Sequence, residues 1–144
     1  MSSAEKKTWL NRYRLAGLAV QRLTEEIARW EAQAVALTAR YGEASGSSGE
    51  DSLQRAVEKM LELRDELAAE LRRQLTIRRE IEEAIRVVED ERLQELLRLR
   101  YIEGLTWERV AERMECSQQW IHKLHYDAIA QVDGEKTDLK YRNE

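Results

Sequence analysis

The stretch that decides the fold is residues 96–132, LLRLRYIEGLTWERVAERMECSQQWIHKLHYDAIAQV, which contains two helix breaks and two helix starts. Gly104 follows an apolar helix and suits the left-handed residue that ends one. Thr106 and Ser117 are side chains that cap helix N-termini, and each stands directly before a helical pattern. The sequence therefore predicts a short helix, a turn at 114–116 and a longer helix, which is the arrangement of a helix-turn-helix.

The segment YIEGLTWERVAERM at 101–114, followed by Ser117 and a further helix, resembles region four of bacterial sigma factors. That region is a helix-turn-helix module that contacts an upstream promoter element and docks on RNA polymerase. The whole layout, a long helical hairpin with a Gly/Ser-rich tip ahead of the module, resembles a phage- and prophage-associated family of sigma-like regulators. One position departs from the pattern. The turn usually holds Gly where this chain has Glu115, so we expect a differently shaped turn.

The resemblance, carried over by position, assigns DNA contact to the leading edge of the helix after Ser117. A Gln side chain can pair with adenine N6 and N7, and a Lys side chain can donate to guanine or to phosphate. The preceding helix can accept a phosphate at its N-terminal N–H groups, although Trp107 could instead pack against the hairpin. Trp120 could be buried or contact a thymine methyl. The predicted DNA-binding residues are Gln118, Gln119, His122, Lys123, Thr106 and Trp107.

Two long heptad patterns precede the module. Apolar residues recur at alternating steps of four and three from Trp9 to Tyr41, and a similar set runs from Leu53 to Val88. This period is typical of supercoiled helices. Residues 42–50, GEASGSSGE, interrupt the pattern with Gly and Ser and indicate a flexible turn. The sequence predicts an all-α protein, in which a long antiparallel, coiled-coil-like hairpin precedes a C-terminal helix-turn-helix.

The predicted domains are the hairpin at 1–89, with its tip at 42–50, the module at 90–132 and a charged tail at 133–144. The second long helix is expected to begin at Asp51 or Ser52, because either residue can cap it. Some apolar residues lie off the main seam, so a homodimer through the hairpin is predicted. The expected inward positions of the second helix are Leu53, Val57, Met60, Leu63, Leu67, Leu71, Gln74, Ile77, Ile81, Ile85 and Val88.

Composition narrows the classes of function. The chain has 144 residues, a net charge of −4 and no Pro, so no position is barred from a helix. No apolar run reaches the length of about 20 residues that a membrane helix needs, and the N-terminus lacks the apolar core of a signal peptide. Cys116 is the single cysteine, which excludes an intrachain disulfide. We therefore predict a cytoplasmic protein with no membrane partner.

Catalytic and metal-binding patterns are missing from the sequence. No phosphate-binding loop, zinc pattern or nucleophile motif is present. Cys116, His122 and His125 are the candidate soft ligands, and three ligands fall short of the usual four at a structural zinc. We therefore expect no enzyme activity, no metal and no cofactor.

The charge of the module leaves three interpretations open. Residues 90–132 hold six Lys and Arg against eight Asp and Glu, whereas a DNA-binding domain usually presents a basic face. The first interpretation is a phage-type transcription regulator that binds double-stranded DNA, with RNA polymerase contact left open. The second is a phage DNA-packaging adaptor similar to a small terminase subunit. The third is a protein-interaction module that no longer binds DNA.

Overall fold

A computed structural model describes residues 1–41 and 47–132, and within these ranges every regular element is a helix. The helices in chain order are α1 (Ser3–Leu10), α2 (Arg12–Tyr41), α3 (Ser47–Arg86), α4 (Glu91–Leu97), α5 (Trp107–Arg113) and α6 (Gln118–Gln131). A π-helical turn at Arg98–Ile102 continues α4. The predicted all-α class, with a long helical hairpin and a C-terminal helix-turn-helix, is confirmed. None of the described helices is both long and apolar enough to cross a bilayer.

Two helix boundaries differ from those expected. The first long pattern is divided at Asn11, although the Asn11 N–H still donates to the Lys7 carbonyl at 3.0 Å. The second long helix begins at Ser47, earlier than Asp51 or Ser52, so positions 47–50 of the predicted tip are helical. Gly49 costs that helix only about 1 kcal/mol relative to Ala, which its length offsets. Positions 42–46 of the tip, and the predicted tail at 133–144, lie outside the described residues.

The described residues form two compact units, one of Met1–Leu15 with the residues from Gln74 onward and one within Ala16–Arg73. In the first unit, Asp90 caps α4 by accepting from the Arg92 N–H at 2.8 Å. Its buried core includes Leu10, Ile81, Ile85, Val88, Leu96, Leu97, Val110, Ile121, Ile129 and Val132. The predicted domain boundary between residues 89 and 90 stays a prediction.

Within the first unit, α1 packs against the end of α6. The Lys6 ammonium donates to the carbonyl oxygens of Ile129 and Ala130 at 3.3 and 3.4 Å. The last carbonyls of a helix have no intrahelical donor and carry partial negative charge, so a cation there satisfies them. This contact fixes the C-terminal end of α6, while polar side chains of its N-terminal half stay exposed.

The second unit pairs segments of α2 and α3. Leu23 and Ile27 of α2 pack with Leu63 of α3, and the partly buried Trp30 and Leu67 extend this cluster. The α2 residues of the cluster all stand at positions of the predicted seam, four or three residues apart. The pattern therefore located the inward face of α2.

The inward face of α3 was predicted partly wrongly. Val57 and Leu71 were expected to face inward, but they are 43% and 46% exposed. The buried seam runs back from Leu67 and Leu63 to Ala56, which is fully buried. One residue turns a helix by about 100°, so Val57 lies on the flank of that seam. Val57 is the larger apolar side chain, but the structure places the smaller Ala56 inward.

Candidate nucleic-acid interface

The N-termini of α5 and α6 are each fixed by a capping side chain, and a glycine ends the helix that precedes α5. The Thr106 hydroxyl accepts from the Arg109 N–H at 3.3 Å, and the Ser117 hydroxyl accepts from the Trp120 N–H at 3.1 Å. Gly104 has a φ of +71°, the left-handed conformation expected after a helix. The two predicted caps and the glycine stop are therefore confirmed.

The turn between α5 and α6 was expected to differ in shape from the usual one, because Glu115 stands where Gly is common, and this expectation is wrong. Glu115 itself adopts the left-handed conformation, with a φ of +57°, so the turn keeps a geometry that suits glycine. The Cys116 N–H donates to the Ala111 carbonyl at 3.0 Å and the Glu115 N–H to that of Glu112 at 3.2 Å. These bonds hold the turn against a backbone cost of about 1–2 kcal/mol.

The helix ahead of α5 ends in a π-helical turn that the sequence did not predict. The Glu103 N–H donates to the Arg98 carbonyl at 2.9 Å, and the Leu105 N–H reaches the Leu99 carbonyl at 3.0 Å. The Arg100 guanidinium then donates to the Leu105 carbonyl at 2.9 Å. No Pro or Gly within the turn signals it. Such turns are rare and often lie at functional sites.

An aromatic cluster joins the π-helical turn, α5 and α6. The Trp107 ring centroid lies 4.4 Å from that of His125 and 5.4 Å from that of His122. The Arg100 Cζ lies over the same indole, 4.4 Å from its centroid. Trp107 is half-buried by these contacts, so it packs within the module and supports His122 at the surface.

A buried hydrogen bond ties α6 to the π-helical turn. The Tyr101 hydroxyl lies 2.7 Å from Nε2 of His125, whose side chain is buried. Burial lowers the pKa of His125 to about 4, and the charges of Lys7, Arg100 and His122 act in the same direction. Burial raises the pKa of Tyr101 to about 12. Both groups are therefore neutral near pH 7.

The core role of His125 was not assigned from the sequence. The available signal was its position four residues after Ile121 and four before Ile129, on one helix face. Within the described ranges, no group of three or more His, Cys, Asp and Glu side chains is placed to hold a metal ion. Cys116 is half-buried in the turn.

The structure gathers four of the predicted DNA-binding residues on the N-terminal half of α6, and all four are exposed. Thr106 is exposed at the start of α5, and Trp107 is half-buried. The ambiguity over Trp120 is resolved, since Ile121 is fully buried and Trp120 is 43% exposed. The four exposed residues of α6 that were predicted to contact DNA are Gln118, Gln119, His122 and Lys123.

Tyr126 extends this exposed face and was not singled out from the sequence. It stands seven residues after Gln119 and three after Lys123, and residues at these spacings share one face of a helix. Its side chain is 74% exposed. The Lys123 ammonium lies 5.2 Å from the centroid of the Trp120 ring, which holds that side chain beside the same face.

Helix α5 separates its charges by side. Glu108 and Glu112 are four residues apart, as are Arg109 and Arg113, and all four are exposed. Residues four apart lie on one side of a helix, and the two pairs differ by about 100° of rotation. The acidic and basic side chains of α5 therefore lie on different sides of that helix.

A comparison with known protein families identifies the same helix-turn-helix segment. Residues 90–132 match the family described as Sigma-70, region 4. No curated protein and no solved structure matches the chain. The match and the capped α5–turn–α6 geometry together define the C-terminal segment as a sigma region-four-like helix-turn-helix, a class of DNA-binding module.

Proposed function

We propose that this protein is a phage-type transcription regulator that binds a specific double-stranded DNA site with α6. The observation that carries the proposal is the exposed polar edge of α6, within a segment that matches a sigma region-four family. In a helix-turn-helix, the N-terminal residues of the second helix enter the major groove and contact base edges. The proposed base-contacting residues are Gln118, Gln119, His122 and Lys123.

Each side chain has a chemical role in this proposal. Gln118 and Gln119 pair with adenine edges, and Lys123 donates to guanine or phosphate. The Tyr126 hydroxyl, farther along the same face, donates to a phosphate where the helix leaves the groove. Thr106 caps the preceding helix and so positions its first N–H groups toward the DNA backbone. Trp107 acts mainly by holding α5 against α6.

We also propose that RNA polymerase and a second copy of the chain assist this binding. Phosphate neutralisation supplies most non-specific affinity for DNA, and a module with six basic against eight acidic residues supplies little of it. Contact with a polymerase that is itself bound to DNA would add the missing affinity. A homodimer through the hairpin would present two modules and so double the phosphate contacts.

The DNA site is tested by sequencing the fragments that the full chain retains from sheared genomic DNA. The matched control carries Gln118→Ala and Gln119→Ala, both at exposed positions, and should fold as the parent does. We expect a recurring sequence motif near promoters with the parent and none with the control. Equal recovery of the same fragments by both proteins would contradict the assignment of α6.

RNA polymerase contact is tested by size-exclusion chromatography of the full chain with the core enzyme. Co-elution in the absence of DNA is expected. Failure to co-elute, even on promoter DNA that the chain binds alone, would remove the polymerase from the proposal and leave a free-standing regulator.

A further inference from the structure

A groove lies on the surface between α1 and the last turns of α6. Its volume is about 270 Å³, and Ile129 and Ala130 form part of its wall. Three further residues bring hydrogen-bond donors to it, namely the Ser3 hydroxyl, the Lys6 ammonium and the Tyr126 hydroxyl. Among the described residues that line the groove, none is acidic. A positive charge with several donors and no carboxylate is the chemistry that binds an anion.

The Lys6 ammonium keeps a donor for a ligand in the groove. It has three N–H donors, and two of them reach the carbonyl oxygens of Ile129 and Ala130 at 3.3 and 3.4 Å. These carbonyl oxygens carry only partial negative charge, so the ammonium remains positive overall. The third N–H can therefore donate to an anion while the other two hold α1 against α6.

A second lysine lies beside the groove. Lys7 is exposed, and it follows Ser3 by four residues, so the two side chains lie on one side of α1. The positive charge of Lys7 contributes to lowering the pKa of His125, which places this lysine close to α6 as well. Lys7 therefore adds a second positive charge where α1 meets α6.

The acidic residues nearest in sequence lie on other sides of their helices. Glu5 follows Ser3 by two residues, about 200° around α1, and its carboxylate accepts from the Ser2 hydroxyl at 3.2 Å. Asp127 follows Tyr126 by one residue, about 100° around α6. The groove is thus positive, although the helix-turn-helix segment itself holds more acids than bases.

The groove continues the surface that is proposed to bind DNA. Tyr126 belongs to both, because it lines the groove and shares a helix face with Gln119 and Lys123. When the first turns of a recognition helix contact base edges, its later turns lie beside the sugar–phosphate backbone. The anion that DNA would bring to this groove is therefore a backbone phosphate.

We propose that the α1–α6 groove binds a phosphate of the DNA backbone through Ser3, Lys6 and Tyr126. Lys7 flanks the same phosphate. Helix α1 thus belongs to the DNA interface, although it lies outside residues 90–132, which match the sigma family. It supplies phosphate-neutralising charge that the helix-turn-helix segment lacks. This inference rests on the DNA binding proposed above and adds a backbone contact that carries no sequence information.

The experiment measures the Kd of the full chain by fluorescence anisotropy, for a duplex from the retained fragments and for a scrambled duplex, over a series of salt concentrations. Ser3→Glu puts a carboxylate in the groove and should weaken both duplexes by about tenfold, because the contact is with phosphate. Lys7→Gln should weaken both equally and lower the slope of log Kd against log salt by about 0.9. Thr8→Glu is the control. It adds the same charge about 140° around α1 from Ser3 and should leave both Kd values near those of the parent.

Both variants are expected to fold as the parent does. An acidic residue suits the first turn of a helix, so Ser3→Glu should keep α1, and circular dichroism checks this. Lys7 is exposed, so Lys7→Gln tests the contact without a change in packing. An unchanged salt slope in Lys7→Gln would overturn the proposal by itself.

The remaining outcomes separate the groove from the recognition helix. An equal loss on both duplexes in Ser3→Glu supports the groove, even if Gln118→Ala with Gln119→Ala shows no loss of sequence preference. Unchanged Kd values in Ser3→Glu, or an equal loss in Thr8→Glu, would overturn the groove contact and leave recognition by α6 intact. A parent that binds neither duplex at low salt would overturn both proposals.

Discussion

At the scale of single residues, two positive φ angles frame α5. Gly104 has a φ of +71° and Glu115 a φ of +57°. The left-handed conformation costs a non-glycine residue about 1–2 kcal/mol, whereas glycine costs about 0.5–1 kcal/mol in chain entropy. Glu115→Gly should therefore raise the free energy of unfolding by about 0.5–1 kcal/mol, measured by urea denaturation.

The matched control is Gly104→Ala. A Cβ atom at Gly104 would meet no atom within 4 Å, so this substitution tests the backbone alone. It should lower the free energy of unfolding by about 0.5–1 kcal/mol, the reverse of the change at Glu115. A loss of stability in Glu115→Gly would show that the Glu115 side chain stabilises the turn by more than the backbone cost.

The buried His125 gives stability a defined pH dependence. Its pKa is about 4 in the folded protein against an ordinary value of 6.5, so the unfolded chain binds more protons between these values. This contribution is fully present above pH 6.5 and falls as the pH drops toward 4. Between pH 6.5 and pH 4, the free energy of unfolding should therefore fall by about 1–3 kcal/mol less in His125→Gln than in the parent, measured by urea denaturation. Identical pH profiles for parent and variant would contradict the burial of a neutral imidazole.

At the scale of elements, the pairing of α2 with α3 rests on the buried seam. Leu23 is 7% exposed on that seam, and Leu18 on the same helix is 50% exposed. Leu23→Ala should lower the free energy of unfolding by about 2–4 kcal/mol, because it removes buried surface and leaves a cavity. Leu18→Ala should change it by less than about 0.5 kcal/mol. Equal effects in thermal unfolding would argue that the helices are not packed in this register.

The elements that could be predicted are those whose causes lie close in sequence. Thr106 and Ser117 cap their helices through hydrogen bonds to N–H groups three residues ahead, so local sequence reveals them. The register of α3 depends on which of its residues pack against α2. Local sequence does not reveal that packing, so it could not decide whether Ala56 or Val57 faces inward. The π-helical turn depends likewise on the packing of Leu99 and Tyr101 in the core.

At the scale of the whole molecule, the site is a mixture of predictable and unpredictable parts. The polar edge of α6 follows from the cap at Ser117 and the spacing of Ile121 and later buried residues. The contacts that hold that edge in place cannot be predicted in the same way. They join Arg100, Trp107 and His125, which lie on three different elements. Sequence thus located the residues proposed to contact DNA and missed those that hold them in place.

The central claim, that the edge of α6 distinguishes DNA sequences, is tested most directly by fluorescence anisotropy. The Kd of the full chain is measured for the retained duplex and for a scrambled duplex of the same length, at one salt concentration. We predict that Gln118→Ala with Gln119→Ala weakens the retained duplex by about 10- to 100-fold and leaves the scrambled duplex nearly unchanged. An unchanged ratio of the two Kd values would contradict the account and favour a protein-docking role for α6.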